Sequence, residues 1–437
     1  MSKIKENILL KCMFPLVDSI MGTCAMKWYK QIQLMNSWSK QDVLDWQTRR
    51  LHLLVEHAYH HTCYYREVMD ELKILPQDIK KLDDIKLFPI LTREIIKERF
   101  DDLVSDNIKQ YPHRICFTGG STGQPMRYIC GENTWGFVTA MKIFSWQQVG
   151  YKYGDRFVSL GSSSLFPVNK KSIIHEIYFR FRNTIPLNGM NMEDEICAKY
   201  MDIIKRHKIK YIYGYATALY LLARYCHDNN VKWHFDAVFS TAEKLAPLYR
   251  QVISETWDVE VMDCYGSKDG GITAYEVEPG KYHVGYASWF EASDVEPSEL
   301  YATNLIDLAF PVIRYFNRDE VLLWNDSVDS QYNGQLLKEV VGRTSDVVAF
   351  DNGHKLTTSG FNSLFRGFNI EAFRICKNGG LSVLVQIQKR ETYTQNEHDL
   401  LYATIKKYVG DEVDVIFEYV DGFEPLKNGK RSFLYNQ

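Results

Sequence analysis

The stretch Phe117-Thr118-Gly119-Gly120-Ser121-Thr122-Gly123-Gln124-Pro125 sets three glycines and three hydroxyl residues directly after Arg114 to Phe117, a run that reads as a β-strand. Glycine lets consecutive backbone N–H groups turn into one concavity, and the hydroxyls add donors, so the stretch predicts an anion-binding nest suited to phosphate. It is not a P-loop, because no Lys follows Gly123 and the four-residue gap between glycines is absent. The same residues also fit the Gly-x-Ser-x-Gly elbow that would make Ser121 the nucleophile of a serine hydrolase. That elbow needs a helix immediately after the serine, whereas Pro125 and the run Met126 to Cys130 read as extended chain, and no His stands out as its base. The hydrolase is therefore the weaker of the two readings.

Working outward, short strand-like runs (Arg156 to Leu160, Lys210 to Tyr213, Ala237 to Phe239, Val259 to Tyr265) alternate with helical stretches such as Ala218 to Cys226 and Leu245 to Thr256. Alternation of this kind predicts an α/β sheet protein. Upstream, Leu51, Leu54, Val55, Ala58, Val68 and Leu72 recur near helical spacing and predict an amphipathic helix from Gln47 to Leu72. It holds His57, His60 and His61, which without an acidic or Cys partner nearby read as packing and surface residues, not metal ligands. Pro311 to Tyr315 begins another strand-like run, and from about Gly342 the chain passes into a segment with its own elements. A large unit, 1–341, and a small C-terminal one, 342–437, are expected, joined by a short hinge because no low-complexity tether intervenes.

Composition excludes other classes. The 437 residues carry 52 basic and 55 acidic side chains, a net charge of −3, with 45% apolar residues, which argues against disorder and against a nucleic-acid partner. Nine cysteines without a Cys-x-x-Cys pair fit a reducing, cytoplasmic setting better than a disulfide framework. Ile8 to Met26 is the one apolar segment reminiscent of a membrane signal, but it contains Lys11, Pro15 and Asp18. Each mid-helix charge costs about 2.5–3.5 kcal/mol on insertion, so the segment reads as a helix packed on the body, with a peripheral membrane contact as the alternative, and not as a transmembrane span.

Several stretches, in order, resemble the adenylate-forming (ANL) enzymes related to phenylacetate-CoA ligase and to CapK-type proteins of capsular polysaccharide loci. Glu56-His57-Ala58-Tyr59 with Tyr64-Tyr65-Arg66, then Ile79 to Ile85 and Phe88 to Thr92, are similar to that family's N-terminal region. Thr118 to Pro125 resembles its phosphate loop, and Ala242-Glu243 followed by Tyr265-Gly266-Ser267-Lys268-Asp269 its adenine and magnesium segments. Pro311 to Tyr315 with Arg318-Asp319 is similar to its ribose-binding strand, Gly342 to Asp346 to the start of its mobile C-terminal domain, and Asn428-Gly429-Lys430-Arg431 to its terminal lysine loop. The similarity spans roughly residues 47 to 431.

The resemblance implies a large N-terminal adenylate-forming domain of mixed sheets and helices with a small mobile α+β domain after it. It implies ATP-dependent conversion of a small carboxylic acid to an acyl-adenylate, and transfer of the acyl group to coenzyme A or to an amine, sugar or carrier-protein acceptor. It assigns Thr118, Gly119, Gly120, Ser121, Thr122 and Gly123 to the triphosphate, and Ala242, Glu243, Tyr265, Gly266 and Ser267 to the rest of the nucleotide. Asp319 would hold the ribose hydroxyls, Arg343 phosphate or ribose, Asp269 the magnesium ion, and Lys430 the transition state of adenylation, with Lys427 as its fallback. Relatives are often dimers, so a homodimer belongs to the same expectation. The chain departs from the pattern at Gln124, Lys268, Val277 and Ser345. Lys268 would meet phosphate as a point charge or lie solvated, and its presence costs the loop a hydroxyl contact. Tyr211, Tyr213 and Tyr215, at alternate positions, read either as the lining of an aromatic-acid pocket or as core and cover.

Overall fold

Capping chemistry sets the start of the described chain's longest helix. In the computed structural model, which describes residues 18, 24–118, 126–161, 179, 183–189, 192–292, 298–323, 331–343, 347–351, 355–357, 365, 368–377, 380–423 and 434–436, helix α1 (Ala25–Met35) precedes α2 (Lys40–His61) and α3 (Cys63–Leu72). At the head of α2 the Ser39 hydroxyl accepts the Asp42 N–H while the Asp42 carboxylate accepts the Ser39 N–H. Val43, Gln47, Leu51, Leu54, Val55 and Ala58 form its buried stripe. The single helix expected from Gln47 to Leu72 is in fact two. Thr62 is extended, donates its hydroxyl to the Ala58 carbonyl at 2.7 Å and caps the next helix at the Tyr65 N–H. A threonine hydroxyl that competes for backbone partners ends one helix and starts another. His57 bonds the Leu308 carbonyl at 2.8 Å and His61 pairs with Asp106 at 2.7 Å, so both serve packing and the surface.

Short helices α4 (Arg93–Glu98) and α5 (Phe100–Leu103) lead to the antiparallel hairpin of β1 (His113–Phe117) and β2 (Arg127–Gly131), and then to α6 (Glu132–Gln148). Next come β3 (Phe157–Gly161), β4 (Thr184–Asn188), α7 (Asp194–Arg206), β5 (Tyr211–Tyr215), α8 (Ala216–Asp228), β6 (Ala237–Thr241), α9 (Pro247–Trp257) and β7 (Val261–Ser267). The expected strand and helix runs in this region all appear, with ends shifted by at most two residues. The antiparallel part adds β8 (Ile272–Glu278), β9 (Lys281–Val284), β10 (Ser288–Ala292), β11 (Ser298–Asn304), β12 (Tyr315–Leu323) and β13 (Leu336–Arg343). All but the hairpin join one sheet in the order β10-β11-β12-β13-β9-β8-β7-β6-β5-β3-β4, parallel from β7 through β4 and antiparallel elsewhere.

The parallel strands are covered on both faces, which is why they read as near-continuous apolar runs. Val158, Leu160, Ile212 and Val238 pack with α8 and α9, while Phe157, Tyr211 and Phe239 pack around Trp146 of α6. Tyr211 belongs to this core, with its hydroxyl on the Gly150 carbonyl at 3.0 Å. The strand expected to begin at Pro311 starts instead at Tyr315. Proline has no N–H for a ladder, and Arg314 lies in the left-handed region at φ 55°.

Beyond β13 lie the small hairpin of β14 (Val347–Ala349) and β15 (Lys355–Thr357), then β16 (Ile370–Lys377), β17 (Ser382–Lys389), α10 (Gln395–Val409), β18 (Asp414–Tyr419) and β19 (Leu434–Asn436). The last four strands form their own sheet, β18-β17-β16-β19, under α10, with Ile375, Val383, Val385, Ile387, Leu401 and Ile405 as a separate core. The Arg390 guanidinium donates to the Tyr220 hydroxyl of α8 at 3.1 Å and so touches the large sheet's helical layer. Of the apolar N-terminal segment, Asp18 and Cys24 to Met26 are described; Asp18 accepts the Met26 N–H at 2.6 Å. No helix among the described residues is long and apolar enough to cross a membrane.

His283 on β9 is buried between the rings of Tyr275 and Tyr286, with centroids 5.5 and 5.0 Å away. Burial pulls its pKa down to about 4. A histidine depressed in the folded state gives stability that is fully present above its ordinary value and is lost as pH falls toward 4. His283→Gln is therefore expected to flatten the acid side of the melting-temperature profile between about pH 6.5 and 4 relative to the parent chain. Parallel profiles for the two proteins would refute this origin of the slope.

Candidate active site

In open α/β sheets, ligand sites form at the carboxyl ends of parallel strands. Here β5, β6 and β7 run side by side, Tyr215 beside Thr241 and Thr241 beside Cys264, so the loops that follow them share one edge. The first residue after β6, Ala242, has φ 68°, a costly conformation for a residue with a Cβ, and it turns the chain sharply. Glu243 then reaches α8, where its carboxylate accepts the Thr217 N–H at 2.9 Å. A carboxylate at a helix N-terminus is favoured by the exposed N–H groups there.

β12 enters the same region through a bulge. Phe316 pairs with Tyr301 and Glu320 with Glu299, so Asn317, Arg318 and Asp319 together oppose the single residue Leu300. Arg318 takes φ 69° to make this possible, and its guanidinium pairs with Glu94 of α4 at 2.5 Å. Bulges re-aim side chains. This one directs the buried Asp319 to the Tyr265 hydroxyl of β7, which donates to its Oδ2 at 2.5 Å, while the Asn317 amide donates to the same oxygen at 2.8 Å and to the tyrosine oxygen at 2.9 Å. Asp319 is also the direct ladder partner of Arg343, whose backbone ends β13.

A second cluster lies beside the first. Asp269, just past β7, accepts hydrogen bonds from the Ser267 hydroxyl and from the Tyr315 hydroxyl, the latter at 2.8 Å. Both oxygens of this carboxylate therefore accept a hydroxyl. Burial and the Asp269 carboxylate push the Tyr315 phenol up, and the Arg93 guanidinium works against them, which places that cation near the pair. Arg93 also donates to the Thr118 hydroxyl at 2.9 Å. Thr118 closes the neck of the glycine loop: its N–H donates to the Met126 carbonyl and its hydroxyl accepts the Met126 N–H, both at 2.9 Å.

Of the residues singled out in the sequence, Thr118, Tyr265, Ser267, Asp269 and Asp319 lie in these two clusters. Ala242 and Glu243 lie on the adjoining loop, and Gly266 continues β7. Gly119, Gly120, Ser121, Thr122, Gly123, Lys427 and Lys430 fall outside the described residues, as do Gln124 and Ser345; of Arg343 the backbone alone is described. Among the described residues the chain resumes at Met126 and enters the strand β2, and the next helix begins at Glu132, which is not the strand-turn-helix setting of a nucleophile elbow. Sequence reading missed Arg93 and Asn317. Arg93 directly follows the quoted stretch ending at Thr92, the cap of α4, and Asn317 precedes Asp319 by two, the spacing of a side-chain turn. Tyr213 is half-buried with Lys142 5.2 Å from its ring and Trp146 5.1 Å away, on the face of β5 toward α6.

No family model matches the chain. It is 22% identical over 436 residues to the protein CapK of Staphylococcus aureus, covering 96% of each chain. It is also 22% identical over 333 residues to phenylacetate-coenzyme A ligase of Aromatoleum evansii, covering 71% of this chain and 72% of that one. The crystal structure of 2-hydroxyisobutyryl-CoA ligase in the postadenylation state, with R3-HIB-AMP, matches it with a TM-score of 0.70 at 16% identity over 90% of this chain and 89% of that one. The same ligase in its thioesterification state, with 2-HIB-AMP and CoA, matches with a TM-score of 0.56, again at 16% identity, over 91% and 90%. The fold is that of the adenylate-forming ligases. By sequence the chain is similar to proteins named CapK and phenylacetate-CoA ligase.

The Asn317 amide donates both to Asp319 and to Tyr265. Removing it leaves a buried carboxylate short of a donor, which costs roughly 1–3 kcal/mol. Asn317→Ala is expected to lower the urea midpoint accordingly at unchanged slope; an unchanged midpoint would show that the bulge does not need the amide.

Proposed function

We propose that the chain activates a small carboxylic acid with ATP and then hands the acyl group to a second substrate. The observation that supports this reading is the convergence of Thr118, of Tyr265 and Asp269, and of Asp319, from three separate stretches of chain, on one edge of the sheet. In the first half-reaction a carboxylate oxygen attacks the α-phosphorus of ATP, a new phosphorus–oxygen bond forms, and the bond to pyrophosphate breaks. Charge builds on the phosphate oxygens, so donors held in place before reaction lower the barrier.

In this reading Thr118 and the loop 119–123 hold the triphosphate, with Arg93 bringing a fixed positive charge to the neck of that loop. Ala242, Glu243, Tyr265, Gly266 and Ser267 border the nucleoside. Asp319, oriented by Tyr265 and Asn317, takes the ribose hydroxyls, and Arg343 stands opposite it in the ladder. Asp269 suits magnesium chemically: Mg2+ prefers hard oxygen donors and commonly takes one or two carboxylates together with substrate phosphates and water. Lys430 is assigned to the α-phosphate and the attacking carboxylate, and 342–437 to a mobile domain that carries it. Tyr213, Lys142 and Cys264 mark the face on which the acid would sit.

Coenzyme A is the acceptor proposed first. The match to CapK along almost the whole chain supports a second acceptor class, an amine, a sugar or a carrier-protein thiol, in polysaccharide synthesis.

Pyrophosphate exchange into ATP, screened against aryl, fatty, hydroxy and amino acids, is expected to depend on one acid class. Addition of coenzyme A is expected to turn exchange into net AMP and thioester formation. Exchange with no acid in the panel would count against the ligase. Lys430→Ala is expected to slow exchange by about two to three orders of magnitude, and an unaltered rate removes that lysine from the chemistry.

A further inference from the structure

β13 is bounded unevenly. On one side it pairs with β12 along its length; on the other, β9 reaches only Leu336 and Leu337. The ladder to β12 also slips, from Val321 beside Val340 to Glu320 beside Gly342, and Val341 is left out of register. The carbonyl of Val341 is taken by a side chain from elsewhere: the Lys244 ammonium donates to it at 2.9 Å and to the Glu339 carboxylate at 3.1 Å. Lys244 is three residues beyond β6 and next to Glu243, which caps α8. Val341 is two residues before Arg343, and Asp319 stands directly opposite Arg343.

We infer that Lys244 is a positioning residue that ties the loop bordering the nucleoside to the end of β13, so that filling the nucleotide site steadies the strand from which the C-terminal unit departs. This rests on the proposed function for the nucleotide, not for the tie itself. The half-buried carbonyl contact carries the tie, because the partner Glu339 is half exposed and an exposed ion pair contributes little. A shift of the Ala242-Glu243 turn on nucleotide binding moves Lys244 with it, and both hydrogen bonds of that ammonium end on β13. Lys244→Met keeps the side chain's length and removes its donors.

The test is hydrogen–deuterium exchange of the full chain, followed on peptides covering 338–343, with and without ATP and magnesium. In the parent protein nucleotide is expected to slow exchange there. In Lys244→Met the same peptides are expected to exchange about tenfold faster without nucleotide, the effect of one charge-assisted hydrogen bond, and to lose the nucleotide-dependent slowing while ATP still raises the melting temperature. Lys244→Arg restores both, and Glu339→Gln changes them only slightly. Unaltered exchange in Lys244→Met, or slowing by nucleotide as large as in the parent, overturns the inference. If ATP neither stabilises the parent nor slows its exchange, the nucleotide reading fails and the coupling with it; the nucleotide-free difference between parent and variant still reports the tie separately.

Discussion

The hydrogen bond from Tyr265 to Asp319 joins the two halves of the molecule on which everything else depends. Tyr265 lies at the end of the last parallel strand, Asp319 in an antiparallel strand several places away across the sheet. A regular β12 would alternate its side chains without regard to that partner. The bulge at Asn317 to Asp319 breaks the alternation, and the strained Arg318 backbone is held in place by Glu94 of α4. Strain of this kind persists where surrounding contacts over-determine it. Here those contacts also bring in Arg93, one residue before Glu94, and through it the neck of the glycine loop.

A buried polar cluster secures the point where the sheet changes from parallel to antiparallel. Arg250 of α9 donates to both oxygens of Glu276 at 2.7 Å and to the Val261 carbonyl. Glu276 in turn accepts the Asp263 N–H, and Tyr282 donates to the Asp263 carboxylate at 2.8 Å. Burial and the neighbouring Glu276 push Asp263 up to about 6. One helix and three strands are thereby fixed in register directly beneath Tyr265 and Ser267. A bidentate guanidinium–carboxylate pair is directional, and that is what a site assembled from strand ends requires. Val277, one of the departures from the family pattern, is the neighbour of Glu276 and takes no part in this polar cluster.

How much of this could be read beforehand depended on the range of the interactions. The alternation of strands and helices from Arg156 to Tyr265 was readable because both faces of the parallel strands are covered, so local apolar runs coincide with tertiary burial. The break at Thr62 and the late start of β12 were not, since a side-chain cap and one left-handed residue decided them against the prevailing pattern. Within the site, Thr118, Asp269 and Asp319 stood out as motif residues, but Arg93 and Asn317 did not. Their importance comes from the partner each meets in space, a threonine 25 positions away for one and a tyrosine 52 positions away for the other.

The amino-acid sequence alone determined the class of architecture, the positions of the glycine-rich stretch and the acidic residues, and the family that the order of motifs resembles. These follow from short-range periodicity and from residue chemistry, which survive without knowledge of contacts. Tertiary structure alone decided that the bulge aims Asp319 at Tyr265, that Tyr315 and Ser267 complete the surroundings of Asp269, and that Lys244 reaches the end of β13. Each of these needs two distant segments held within hydrogen-bond distance, and packing of the intervening chain is what sets such distances.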